Sequence, residues 1–146
     1  MTQPTPTATP SSTTGARRPG RAANVALWVG QVFVALSFVA ASIPKVTSDP
    51  IAVEGFAAMG FSPAGTAVIG CLEIAGAIGV LVPRLTGLAA LCAVALMIGA
   101  VALTVATMPA VLAIYPAVIG VIAALVAYGR WYRTVELAAT VRSVAT

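Results

Sequence analysis

The sequence has no histidine, few charged residues and few aromatic residues. Histidine is the usual haem ligand, metal ligand and proton shuttle, so its absence removes the most common residue for those roles. The two cysteines, Cys71 and Cys92, do not form a Cys-x-x-Cys pair, and their expected depths disfavour a disulfide. No segment resembles a phosphate-binding loop, a nucleophile elbow or a metal-binding cluster. The sequence therefore identifies no catalytic residue, no metal site and no evident cofactor.

The low charge content indicates a membrane protein. Only 8% of the 146 residues are charged and 60% are hydrophobic, whereas soluble domains carry about 25% charged residues. A bilayer core of about 30 Å needs about 20 apolar residues per helix. Four stretches meet this length: Ala23–Ile43, Ala64–Val82, Leu85–Thr104 and Pro109–Tyr128. We predict an all-α fold, an integral membrane four-helix bundle with a disordered N-terminal tail.

The chain divides by composition into three parts. Residues 1–21 are rich in Pro, Thr, Ser, Gly and Arg, which predicts a disordered cytoplasmic tail. The four-helix transmembrane domain is predicted at 22–132 and a short cytoplasmic C-terminal tail at 133–146. A secretory signal peptide is the competing interpretation of the N-terminal region, because three arginines precede an apolar run. That run is longer than the roughly 7–15 residues of a signal h-region, and three more spans follow it.

The distribution of basic residues predicts the orientation. Four spans put both termini on one side of the membrane. With that side cytoplasmic, it receives seven of the eight Lys and Arg residues, and only Lys45 lies outside. The basic pI of 9.7 is explained by this topology and by contact with anionic headgroups. We therefore expect no nucleic-acid partner, a cell-membrane location, and both termini in the cytoplasm.

Two features shape the predicted bundle. Asp49 and Pro50 are typical of a helix start and Gly60 of a helix end, so a short outer helix is predicted at Pro50–Met59. It is either a lid over the bundle or an interfacial connector. Pro116 is expected to kink the fourth span. Two faces of the second span carry small residues, and close packing against neighbouring helices is expected there. One is the stripe of Ala67, Cys71, Ala75 and Gly79, and the other carries Thr66, Gly70 and Ala77, with Glu73 projecting from within it.

Glu73 is the most informative residue of the sequence. It lies in the middle of the second span, where a carboxylate costs roughly 2.5–3.5 kcal/mol even on lenient insertion scales. Gln31 is expected within about one helical turn of its depth, and Tyr115 is expected to reach it from the outer side. Lys45 is expected to extend to the headgroups instead. Glu73 is thus predicted to be a neutral acid beside Gln31. Its role is either to hold the helices together or to handle protons or a ligand.

Several short segments together resemble the DoxX-like family of small four-helix bacterial membrane proteins. They are the Ala-Ala-Ser-Ile-Pro-Lys end of the first span, the Leu-Glu-Ile-Ala-Gly segment around Glu73, the Pro-Arg-Leu turn at Pro83, and the Met-Ile-Gly-Ala-Val segment at Met97. The resemblance covers roughly Leu27 to Val101. It implies a four-helix bundle in the bacterial inner membrane and an association with redox systems. Relatives include a subunit of a thiosulfate:quinone oxidoreductase and a membrane partner of oxidative-stress enzymes. Many relatives carry a histidine at about the position of Thr104.

These observations leave two classes of function. The first is an accessory or quinone-linked subunit of a membrane redox system, with quinone as the ligand and an oxidoreductase as the partner. The second is a small proton-coupled exporter. A structural membrane anchor for a partner enzyme, or a homo-oligomer in the lipid bilayer, are further alternatives, and a membrane subunit is favoured over a stand-alone enzyme. The candidate ligand-binding or proton-handling residues are Glu73, Gln31 and Tyr115, with Lys45 and Thr104 secondary.

Overall fold

The computed structural model describes residues 20–131 and Val135, and its described part contains helices and no strand. Four helical segments are long and apolar enough to cross a membrane: Arg21–Val46, Pro63–Leu81, Thr86–Thr107 and Ala110–Gly129. This confirms the all-α membrane bundle predicted from hydropathy. Of the predicted tail 1–21, only Gly20 and Arg21 are described, and Arg21 already begins the first helix. The predicted C-terminal tail 133–146 lies outside the described residues except for Val135.

The helices are α1 (Arg21–Val46), α2 (Pro50–Ala58), α3 (Pro63–Leu81), α4 (Thr86–Thr107) and α5 (Ile114–Gly129). A 3-10 turn (Ala110–Ala113) leads into α5. In space α1 packs mainly on α3, and α4 packs mainly on α5. Contacts of α3 with α4 and of α1 with α5 close the bundle. The short helix α2 lies at the end where α1 finishes and α3 begins, here named the α2 end.

Local sequence signals fix the ends of α2 and α3. The Asp49 carboxylate accepts hydrogen bonds from the backbone N–H groups of Ile51 and Ala52, at 2.9 and 3.3 Å. Ser62 caps α3 in the same way, accepting from the N–H of Gly65 at 3.1 Å. Gly60 has φ +87°, the left-handed conformation expected after a helix end. The structure thus confirms the predicted short helix to within one residue.

The fourth span differs from the prediction of a helix kinked at Pro116. The structure places a 3-10 turn at Ala110–Ala113 and begins α5 at Ile114, so Pro116 lies in the first turn of α5. Proline is tolerated there because the first N–H groups of a helix have no partner within it. The predicted interruption of a continuous fourth helix at Pro116 is therefore not found, and the irregular 3-10 turn precedes the proline.

The core is narrow and built from small and medium apolar side chains, and the outer surface is apolar as well. The buried residues come from all four spans: Val34, Phe38, Val80, Ala90, Ala93, Met97, Ile119, Ala123 and Val126. Large hydrophobic side chains such as Val29, Leu72 and Leu125 are more than half exposed. In a water-soluble domain so much exposed apolar surface is unfavourable, whereas lipid solvates it. The bundle is suited to a bilayer.

Candidate functional site

A buried ion pair joins α1 to α3 near the α2 end. The ammonium of Lys45 lies 2.8 Å from Oε1 and 2.7 Å from Oε2 of Glu73. It also donates to the backbone carbonyl of Ala41 at 2.9 Å. The two charged residues are only 9% and 4% exposed. Each carboxylate oxygen thus accepts a charge-assisted hydrogen bond, which is stronger than a hydrogen bond between neutral groups.

Close packing of α1 on α3 brings the two charges together. A Cβ on Gly70 would lie 3.0 Å from the Cβ of Lys45 and 3.2 Å from the carbonyl oxygen of Ser42. A Cβ on Gly76 would lie 3.0 Å from the Phe38 ring. Glycine at both positions therefore lets the two backbones approach and sets their antiparallel register. In that register Glu73 is level with the turn of α1 that precedes Lys45.

The expectation that Lys45 extends to the headgroups is wrong, and so is the expectation that Glu73 lacks a cation. The reason is helix direction. Side chains on an α-helix point back toward its N-terminus, and α1 ends at the α2 end of the bundle. Lys45 therefore points into the membrane span, along its own helix, as its bond to Ala41 shows.

Gln31 does not meet Glu73. It is almost completely buried, and its Nε2 has no hydrogen-bond partner among the described residues. The packing of Phe38 on Gly76 places Glu73 at about the level of Ala41, so Gln31 lies about 15 Å of helical rise further from the α2 end than Glu73. The expected shared depth of the two residues is therefore not found, and the neutral pair predicted for Glu73 is replaced by the ion pair with Lys45.

A pocket of about 510 Å³ lies beside the ion pair. Its walls come from α1, α3, α4 and α5 and are mostly apolar, and its polar lining residues are Ser37, Lys45, Glu73 and Tyr115. Tyr115 is 56% exposed at the start of α5. The structure thus brings Glu73, Lys45 and Tyr115 to one pocket. Gln31 and Thr104 do not line it.

The helix α2 contributes to this pocket through its phenylalanine. Phe56 and the nearby Phe61 both line it, and their rings meet edge to face with centroids 5.8 Å apart. The ammonium of Lys45 lies 5.5 Å from the centroid of the Phe56 ring, within the range of a cation–π contact. No residue of α2 is buried. These contacts favour the lid interpretation over a mere connector.

A second polar contact, at the opposite end of the bundle, was not anticipated from the sequence. Arg130 is almost completely buried, and its Nη1 donates to the side-chain oxygen of Asn24 at 2.7 Å. Its guanidinium lies 5.9 Å from the centroid of the Trp28 ring. Asn24 and Trp28 are one helical turn apart on α1, a spacing that puts them on one face. This i, i+4 pair of a polar and an aromatic residue is the feature of the sequence that could have predicted a binding partner for Arg130.

These features define a helical multi-span membrane protein with an ion pair at the edge of an intramembrane pocket. The family model described as "DoxX-like family" matches residues 29–126, about two thirds of the chain. The protein belongs to the DoxX-like family. The matched range includes the pocket, Lys45 and Glu73. No curated protein and no solved structure matches the chain.

Proposed function

We propose that this DoxX-like protein is a quinone-binding membrane subunit of a redox system. The observation that carries the proposal is the pocket, which combines apolar walls with a single ion pair, Lys45–Glu73. Small-molecule sites are typically clefts of about 300–1,000 Å³ with a few convergent polar groups. A quinone has the matching form, because its ring carries polar oxygens and its tail is apolar.

The position of the pocket suits a ligand dissolved in the bilayer. Its apolar lining includes Phe38, Ile69, Met97, Leu103 and Ile119, which offer dispersion contacts to a ring and tail but no hydrogen bond. The two charged groups, Lys45 on α1 and Glu73 on α3, lie on one side of this apolar lining. A bound quinone would therefore place its ring beside the ion pair and its tail against the apolar wall.

The orientation of the bundle belongs to the same proposal. The seven-to-one distribution of basic residues supports cytoplasmic termini, which puts the α2 end on the outer side of a bacterial cytoplasmic membrane. Lys45, in the last turn of α1, would then lie on the outer side of the ion pair. An oxidoreductase partner would dock at the α2 end, where Phe56 and Tyr115 border the pocket.

The ion pair also bears on the exporter alternative. A proton-coupled exporter needs a carboxylate that exchanges its proton for substrate, whereas both oxygens of Glu73 are held by Lys45. This supports a binding subunit over an exporter.

Binding of decylubiquinone and of a menaquinone analogue to the purified full-length protein tests the proposal. Ala95 lines the pocket, whereas Ala124 on α5 is exposed and does not line it. We expect Ala95→Trp to fill the pocket and weaken binding, and Ala124→Trp, the same change outside it, to leave binding unchanged. Equal binding by both variants, or none by the native protein, would refute the proposal. Proton-driven efflux from vesicles without quinone binding would favour the exporter.

A further inference from the structure

We infer that the pocket binds the reduced quinol in preference to the quinone, because Glu73 offers free acceptors while Lys45 offers no free donor. The inference rests on the proposed function and adds a selectivity to it. The selectivity follows from counting donors and acceptors at the polar edge of the pocket.

The donor side of the ion pair is saturated. A lysine ammonium has three N–H donors and no acceptor. Lys45 has three acceptors within 2.9 Å: the carbonyl oxygen of Ala41 and the two carboxylate oxygens of Glu73. A quinone carbonyl can only accept hydrogen bonds. To be bound by Lys45 it would have to displace one of these partners, and two of them carry the counter-charge.

The acceptor side has capacity left. A carboxylate has about four lone-pair sites, and Lys45 occupies one on each oxygen of Glu73. No other hydrogen bond to this carboxylate is present in residues 20–131, and Glu73 lines the pocket. A hydroxyl group entering the pocket can therefore donate to Glu73 without breaking the ion pair. A quinol carries two such hydroxyl groups, whereas the quinone carries none.

The other polar groups of the pocket do not reverse this preference. Tyr115 and Ser37 carry hydroxyl groups, which can donate or accept. They can bind either redox form.

The ion pair is neutral as a whole and presents an ammonium within 2.8 Å of the carboxylate oxygens. A hydrophobic ammonium ion would meet that positive charge, so the geometry selects a neutral hydrogen-bond donor over a cationic one.

Four probes that share a decyl chain test the inference on the full-length protein in detergent, without oxygen: decylhydroquinone, decylquinone, the dimethyl ether of the hydroquinone, and decylammonium. We expect the hydroquinone to bind about tenfold or more tightly than each of the others, the value for one hydrogen bond to a charged group. A quinone that binds as tightly as the quinol would overturn the inference and leave the proposed function intact. Equal binding of the ether, or tighter binding of decylammonium, would also overturn it. If no quinone-type probe binds, both the inference and the proposed function are refuted.

Two variants identify the acceptor. The double variant Lys45→Met, Glu73→Gln removes both charges together, and its amide can donate as well as accept. We expect the ratio of quinol to quinone affinity to fall to about twofold or less, since the amide serves both forms. Glu54→Gln makes the same side-chain change at an exposed position of α2 and should keep the native ratio. An unchanged ratio in the double variant would show that Glu73 is not the acceptor and would overturn the inference.

Discussion

The ion pair predicts a strongly non-additive response of stability to mutation. Lys45→Met leaves the Glu73 carboxylate buried without either of its hydrogen-bond donors. Breaking a buried pair from one side typically costs about 3–5 kcal/mol, and we expect a loss in that range. Glu73→Gln should cost a similar amount, about 3–5 kcal/mol, because the Lys45 ammonium then stays buried without its counter-charge.

Removing both charges should restore part of the stability. In Lys45→Met, Glu73→Gln no buried charge remains, and the remaining cost is that of a buried amide without a partner, about 1–3 kcal/mol. We expect the double variant to lie below the native protein by that amount. The coupling energy between the two sites should then be at least about 3 kcal/mol, at the top of the range for directly contacting residues.

Reversible unfolding in mixed micelles of dodecylmaltoside and sodium dodecyl sulfate, followed by far-ultraviolet circular dichroism, measures these free energies. Glu54→Gln is the matched control, because it makes the same change on an exposed side chain; surface substitutions usually fall within about 0.5 kcal/mol. Losses that add within about 0.5 kcal/mol would show that the two residues act independently. That result would refute the ion pair as a stabilising element of the bundle.

Three further experiments address topology, the lid and helix packing. In a background without the native cysteines, Ser48→Cys should react with an impermeant maleimide in intact cells and Thr146→Cys only after permeabilisation; the reverse would contradict the orientation. Phe56→Ala should speed quinone release up to about tenfold in stopped-flow measurements, through loss of the cation–π contact with the buried ammonium, while stability stays near native because α2 has no buried residue. Gly70→Ala should lower the free energy of unfolding by about 1–3 kcal/mol, because its Cβ would press on α1. Gly99→Ala, whose Cβ meets no atom within 4 Å, is the control, and equal losses would count against close α1–α3 packing.

The spans and the short helix could be predicted because their signals are local. An apolar run of about 20 residues specifies a transmembrane helix whatever surrounds it. Proline at a first turn with a capping side chain before it specifies the start of a helix, as at Asp49 and Ser62. Each of these signals acts through the chain's own backbone, so no knowledge of the tertiary arrangement is needed.

The buried face of α3 was harder to predict from the sequence. The stripe of Ala67, Cys71, Ala75 and Gly79 has the small-residue spacing typical of packed membrane helices. In the structure Gly79 is buried against Ala89 of α4, yet Cys71 and Ala75 are exposed. The buried face carries Thr66, Gly70, Glu73 and Ala77 instead. A polar side chain that lipid cannot satisfy costs more than a small residue gains by packing. Glu73 therefore determines the orientation of the helix, and the small residues on its own face permit the close approach.

Depth along the membrane could not be transferred from one helix to another by counting residues. Gln31 was placed beside Glu73 on the assumption that the two spans begin at equal depth. The contacts of Gly70 and Gly76 with α1 set a different register, and that register depends on side-chain packing across the interface. Counting residues from the ends of spans fixes depth only to within a few turns.

The direction of a helix decides where a lysine near its end can reach. On a helix that finishes at a given membrane surface, side chains lean back toward the membrane interior. On a helix that starts there, they lean toward the surface and the headgroups. Lys45 lies on a helix of the first kind, in its last turn, so its side chain follows α1 inward to the carbonyl of Ala41 and to Glu73. The same lysine near the start of α3 would point away from the pocket. The pairing of a lysine near the end of α1 with a carboxylate in the middle of α3 is thus a consequence of helix polarity, and it gives the pocket its charged edge.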